Sequence, residues 1–188
     1  MMTAMSTMTA GMPIINSAVN ICDSFLIGGF MQLTNNERAF LKMLTVSEGT
    51  STSKYTKNNG YDVIVNGIGG EPKTFTDYSK HPNVLVTVNN KGLKSTAAGA
   101  YQILYKYWVA YKKQLGLKGF YPEDQDAIAM QLIKECKARD DINAGRIEAA
   151  ITKCRSRWAS LPGAGYGQFE HKMDTLVSAY KKAGGTVA

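Results

Sequence analysis

Apolar residues recur at helical spacing in five stretches of this chain, with one β-branched region between the first and second. Phe40, Leu41, Leu44 and Val46 make one stripe. It predicts a helix over residues 36–48, capped by Thr34, Asn35 or Asn36 and stopped by Gly49. Residues 50–60 are rich in Ser, Thr, Lys and Asn and read as a loop. Residues 61–65 read as a strand, 66–70 as a turn, 74–78 as a return strand and 84–88 as a third, together a small antiparallel sheet. Helical periodicity resumes at 97. Tyr101, Leu104, Trp108, Tyr111 and Leu115 share a face that ends near Gly116. Pro122, followed by Glu123 and Asp124, marks the next start, with Ile128, Leu132, Ile133 and Cys136 turned inward. Ile147, Ala150, Ile151, Cys154 and Trp158 make the cleanest stripe. Met173, Leu176, Val177 and Tyr180 belong to a last helix capped at Gly184-Gly185. One helix, a small sheet and then several helices predict an α+β fold, with the sheet beside a mainly helical lobe and a cleft between them.

The first 36 residues break this pattern. They hold no Lys or Arg, and five of the nine Met fall within the first twelve positions. No basic n-region precedes an apolar core, so a Sec signal is not expected. The division is an extension over 1–35, partly disordered, and one catalytic domain over 36–188. Within the extension, 1–11 read as disordered and 14–33 as a loose helix with a weak tendency toward membranes; Met12 and Met31 are alternative starts.

A length of 188 residues suits one domain with a real core. The net charge of +7 favours an anionic partner, such as nucleic acid, a membrane surface or an acidic wall polymer, without choosing among them. No run of about 20 apolar residues is present, so stable membrane insertion is not expected. Cys22, Cys136 and Cys154 are odd in number and lack metal-like spacing, which predicts reduced thiols that pack rather than a disulfide framework or zinc site.

Candidate chemistry centres on Glu48. At a helix C-terminus beside apolar neighbours, the macrodipole and burial both disfavour its charged form. A carboxylic acid held neutral can protonate a leaving glycosidic oxygen. On this segment alone, a solvated Glu at a helix end is the commoner outcome. A second segment, 94–102, offers Ser95 or Thr96 as a cap, small residues at 97–100, and then Tyr101 and Gln102 as a stacking ring and an amide for sugar hydroxyls. A third, 161–171, is too Gly-rich for a core element and reads as a mobile lip presenting Tyr166, Gln168 and His171. Its spacing fits neither phosphate-cradling motif. No cofactor or metal is called for.

These segments, in this order, resemble the phage lambda-type endolysin family of the lysozyme-like superfamily. The likeness runs from Glu37 to Val187. It rests on SEGT at 47–50, GYDVIV at 60–65, FTDYS at 75–79, HP at 81–82, KSTAAGAYQ at 94–102, QLGL at 114–117 and WASLPGAGYGQFEH at 158–171. The resemblance implies a lytic transglycosylase, a glycosidic bond lyase, that cuts peptidoglycan between N-acetylmuramic acid and N-acetylglucosamine and leaves a 1,6-anhydro end. Glu48 would be the catalytic acid and base, and loops at 81–94 and 161–171 the lips of the cleft. Ser95, Tyr101, Gln102, Tyr166, Gln168 and His171 would bind the glycan. Relatives carry Arg where Ala100 stands, so binding here is expected to be weaker or rearranged. The resemblance also implies a monomer held in the host cytoplasm until a holin opens the membrane, then acting on the periplasmic wall. Beside a glycan-binding protein that has lost catalysis, disfavoured by the retained Glu48, two alternatives stay open. One is a water-using muramidase with Asp62 or Asp77 as second carboxylate. The other is a basic nucleic-acid-binding domain, disfavoured because the basic residues are scattered rather than gathered in one aromatic stripe.

Overall fold

The computed structural model describes residues 32–188, so the expectations for residues 1–31, including the loose helix and Cys22, lie outside it. Six helices are present among the described residues: α1 (Asn35–Ser47), α2 (Tyr105–Leu115), α3 (Pro122–Glu135), α4 (Arg139–Asn143), α5 (Ile147–Cys154) and α6 (Met173–Lys182). Two short strands, β1 (Val86–Thr87) and β2 (Lys94–Ser95), pair antiparallel with Val86 opposite Ser95. The α+β arrangement matches the sequence pattern.

α1 begins where its cap chemistry places it. Thr34 accepts from the Glu37 amide at 3.1 Å while Glu37 Oε2 accepts from the Thr34 amide at 2.9 Å. This reciprocal box satisfies two backbone donors that the first turn leaves unpaired. Glu37 does more than cap. Fully buried, it also accepts from Arg139 Nε at 2.6 Å and Asn143 Nδ2 at 3.2 Å, which locks α1 onto α4. The Arg139 contact and the Thr34 amide hold its carboxyl below the usual range although burial pushes the other way. Phe40, Met43 and Leu44 then meet Ile128, Leu132, Ile133, Ile151, Trp158, Leu176 and Tyr180 in one continuous core.

α3 starts at Pro122, as the sequence predicts; α5 buries Ile147, Ala150, Ile151 and Cys154, and α6 buries Leu176 and Tyr180 with Met173 and Val177 partly covered. Several elements differ. Tyr101 and Leu104 precede α2 instead of lying on it, and Trp158 lies beyond α5. Ser95 belongs to β2 and accepts from the Ala97 amide at 3.1 Å, so it caps no helix. Thr96 does the capping from nine residues away, accepting from the Tyr105 amide at 3.1 Å. α4 carries no signal in the sequence, because five residues are too few to show periodicity.

The strands predicted at 61–65 and 74–78 shrink to bridges, and the one predicted at 84–88 survives only as β1, paired with β2. Residues 63–65 sit between two partners: Val63 opposite Thr74, and Ile64 opposite Ala98. The 74–78 segment stops pairing because Asp77 turns back onto Ser79, and Tyr78 gives its carbonyl to the Phe120 amide at 2.7 Å. Cys154 is buried as expected, whereas Cys136 caps α3 and is only half-buried.

Candidate active site

The end of α1 is shaped by backbone hydrogen bonds that need Gly49. The Thr50 amide donates to Thr45 O and the Gly49 amide to Val46 O, both at 3.0 Å, with Gly49 at φ +68°. This is the Schellman closure, in which a left-handed residue lets the chain fold back over the last turn. Thr50 then hydrogen-bonds Ala100 O at 2.7 Å, which ties the helix end to the 97–103 segment. Glu48 occupies the cap position and its side chain points into the protein, 2% exposed.

Burial drives the Glu48 carboxyl up to about 8, against a smaller opposing effect from the Ser160 hydroxyl. The macrodipole, expected from the sequence to contribute, matters less, because the carbonyls of the last turn already accept bonds from residues 48–51. Ser160 Oγ donates to Glu48 Oε1 at 2.5 Å and lies 2.8 Å from Ser47 Oγ. With its one hydrogen spent on Glu48, Ser160 accepts from Ser47. Glu48 Oε2 is buried with no hydrogen-bond partner among the described residues. Because Oε1 accepts, the proton of the neutral acid resides on Oε2. The site therefore holds a neutral acid with its hydroxyl oxygen uncommitted.

The Gly-rich segment closes this arrangement from the other side. The His171 amide donates to Ser160 O at 2.9 Å, joining the two ends of the loop. His171 Nε2 lies 3.1 Å from Ser47 O; a carbonyl can only accept, so Nε2 carries the hydrogen. Burial lowers the pKa of this ring. Within the loop, the Gly163 and Gly165 amides both donate to the Glu170 carboxylate at 2.7 Å. Those bonds hold Glu170 below the usual carboxylate range.

The proposed glycan binders separate into two groups. His171 stands beside Ser47 and Ser160, and Tyr166 and Gln168 lie partly buried on the same loop. Tyr166 donates to Ser156 O at 3.2 Å. Tyr101, Gln102 and Ser95 are buried, contrary to the picture of exposed binding groups. The Tyr101 hydroxyl donates to Asp126 at 2.6 Å, beside a second bond to Asp126 from Tyr61 at 2.8 Å. Gln102, at φ +50°, turns its amide onto Gly99 O at 3.0 Å. Ala100 is also enclosed, its amide on Gln125 Oε1 at 2.9 Å.

Both suggested second carboxylates are committed to their own loops. Asp62 accepts from the Thr56 hydroxyl and from the Lys57 amide at 2.8 Å. Asp77 is exposed and accepts from Ser79 N at 2.9 Å and Ser79 Oγ at 2.6 Å. The residue that sequence reasoning missed is Ser160. It lies inside the WASLPGAGYGQFEH run, yet a Ser between Ala159 and Leu161 carries no local mark of a role 112 residues away.

The endolysin family profile matches residues 38–187. The chain is 58% identical over 158 residues to the endolysin of Escherichia phage lambda, covering 84% of this chain and 96% of that one. It is 51% identical over 181 residues to the endolysin of Escherichia phage P2, covering 94% of this chain and 100% of that one. Bacteriophage lambda lysozyme complexed with a chitohexasaccharide has a similar structure, with a TM-score of 0.78 at 56% identity, covering 85% of this chain and 100% of that chain. A second structure of lysozyme from bacteriophage lambda gives 0.75 at 54%, with the same coverage.

Proposed function

This chain belongs to the endolysin family of phage cell-wall-degrading enzymes, and from that premise we propose that it is a lytic transglycosylase. It would cleave the β-1,4 bond between N-acetylmuramic acid and N-acetylglucosamine in peptidoglycan. The observation that carries this reading is Glu48: buried, raised to about 8, and with Oε2 uncommitted. At neutral pH such a group is mostly a neutral acid, the form a departing glycosidic oxygen requires.

Glu48 Oε2 gives its proton to that oxygen as the C1–O bond breaks. The carboxylate then takes the proton of the muramic acid 6-hydroxyl while O6 attacks C1. A 1,6-anhydro ring forms, no water is consumed, and Glu48 returns to its neutral form. One carboxylate suffices because the attacking oxygen belongs to the substrate. The local commitments of Asp62 and Asp77 favour this over a water-using muramidase, which needs a second carboxylate at the cleft. A chitohexasaccharide is bound by the lambda lysozyme neighbour; the same class of β-1,4-linked N-acetylated sugar is proposed to lie here between lips at 81–94 and 161–171, against Tyr166, Gln168 and His171. With Glu48 almost enclosed, the lips part to admit the strand. The protein is proposed to act as a monomer on the periplasmic wall after a holin admits it from the cytoplasm. No helix among the described residues is long and apolar enough to cross a membrane.

The test is mass spectrometry of fragments released from purified peptidoglycan. Anhydro-muramic ends, lighter by one water, are expected. Reducing ends would replace this mechanism with hydrolysis. Glu48→Gln should release neither.

A further inference from the structure

Cys136 ends α3, its amide on Leu132 O at 3.0 Å, and Cys154 ends α5 in the core. Residues 137–153, with α4 among them, lie between the two. Cross-contacts bracket this pair on both sides. Lys153 Nζ donates to Lys137 O at 3.1 Å, and Arg157 Nη2 donates to Glu135 Oε2 at 3.2 Å. The residues on either side of Cys136 are thus joined to Lys153, next to Cys154, and to Arg157 just beyond it, and the two thiols lie close enough within this bracket for each to shift the proton affinity of the other.

We propose that Cys136 and Cys154 form a two-thiol site that accepts a disulfide bond from a disulfide donor, joining the end of α3 to the end of α5. The two sulfurs are differentiated for this chemistry. The facing Cys154 thiol, helped by the Arg157 guanidinium, holds Cys136 below the usual thiol range although burial pushes the other way, and this sulfur is the half-buried one. Cys154 is pushed upward by the sulfur it faces and by burial. A partly exposed thiolate beside a cation is the usual attacking group, and a protonated neighbour the resolving one.

The exchange balances. The Cys136 thiolate attacks one donor sulfur and expels the other as a thiolate. Cys154 gives up its proton to that thiolate and attacks Cys136 Sγ, expelling the second donor thiol. The two cysteines lose two electrons, and the donor disulfide becomes two thiols. An oxidising compartment such as the bacterial periplasm keeps such a bond; the cytosol reduces it. This chemistry is independent of the glycan reading.

The test uses the full-length protein carrying Cys22→Ser, incubated with oxidised glutathione or with dithiothreitol, then desalted, unfolded in denaturant so that buried Cys154 is reachable, labelled with iodoacetamide and digested without reduction. After oxidation a peptide pair joined through Cys136 and Cys154 is expected, two hydrogens lighter than its parts, with label lost at both positions. The melting temperature should rise by several degrees and return on reduction, because the bond restricts the unfolded chain. With Cys154→Ala added, Cys136 should stop at the glutathione adduct. Full labelling of both cysteines after oxidation would overturn the proposal. So would a stable glutathione adduct on Cys136 while Cys154 is still present.

Discussion

Replacing Glu48 with Gln should stabilise the fold, and increasingly so as pH rises. The folded carboxyl sits at about 8 against an ordinary value of 4.5. As pH rises above 4.5 the unfolded chain releases this proton while the folded one keeps it, so the folded state alone binds the extra proton. Stability from this group is complete below 4.5 and falls through the window up to about 8. At about 1.4 kcal/mol per unit, the loss reaches about 4–5 kcal/mol at the top of the window. Glutamine resembles the neutral acid, accepts from Ser160 through the same oxygen and does not ionise. Any constant cost of the amide cancels when the difference between variant and parent is followed against pH. Urea unfolding of both proteins at several values from about pH 5 to pH 8 should show that difference growing by about 4 kcal/mol in favour of the variant. A difference flat to within about 1 kcal/mol over that range would place Glu48 near its ordinary value. It would then be ionised at neutral pH and could not serve as the general acid.

Ser160→Ala removes the one contact that lowers the Glu48 pKa, so the alkaline limb of kcat/KM on purified peptidoglycan should move to higher pH. An unmoved or downward limb would show that the hydroxyl does not reach the acid. Gly49 is at φ +68° with open space where a Cβ would stand, so Gly49→Ala should cost only the left-handed backbone strain, about 1 kcal/mol by denaturant titration. A loss beyond about 3 kcal/mol would mean that packing is also involved. Gly99→Ala is the harsher case, because a Cβ there would lie 2.1 Å from Gln125 Oε1 and force it off the Ala100 amide. Its melting curve should show a loss of about 3 kcal/mol or more, and a melting point close to the parent's would contradict the packing described.

Elements whose signals lie within a few residues were legible in the sequence. Thr34, one of three cap candidates, opens α1 and Gly49 stops it, and Pro122 opens α3 with two carboxylates behind it. Each works through a backbone group no more than a turn away, so the string of residues determines it. Glu48 was legible as a candidate for the same reason: its place at the helix end follows from Gly49. The Gly-rich run at 161–171 was legible as a loop. Strand lengths were not legible, because the residues following Thr74 spend their hydrogen bonds on Ser79 and Phe120, and the second of these is remote in the chain. Tyr101 and Gln102 carry the residue types of a sugar site, yet packing turned them onto Asp126 and Gly99. Asp62 and Asp77 were equal candidates until their loops closed on them. The acid itself is a product of assembly. Its proton affinity comes from the withdrawal of water on every side and is tempered by a hydroxyl on Ser160, and both depend on segments that meet only when the chain has folded. Local geometry is written in neighbouring residues; desolvation is not, since it belongs to the volume that distant residues enclose together.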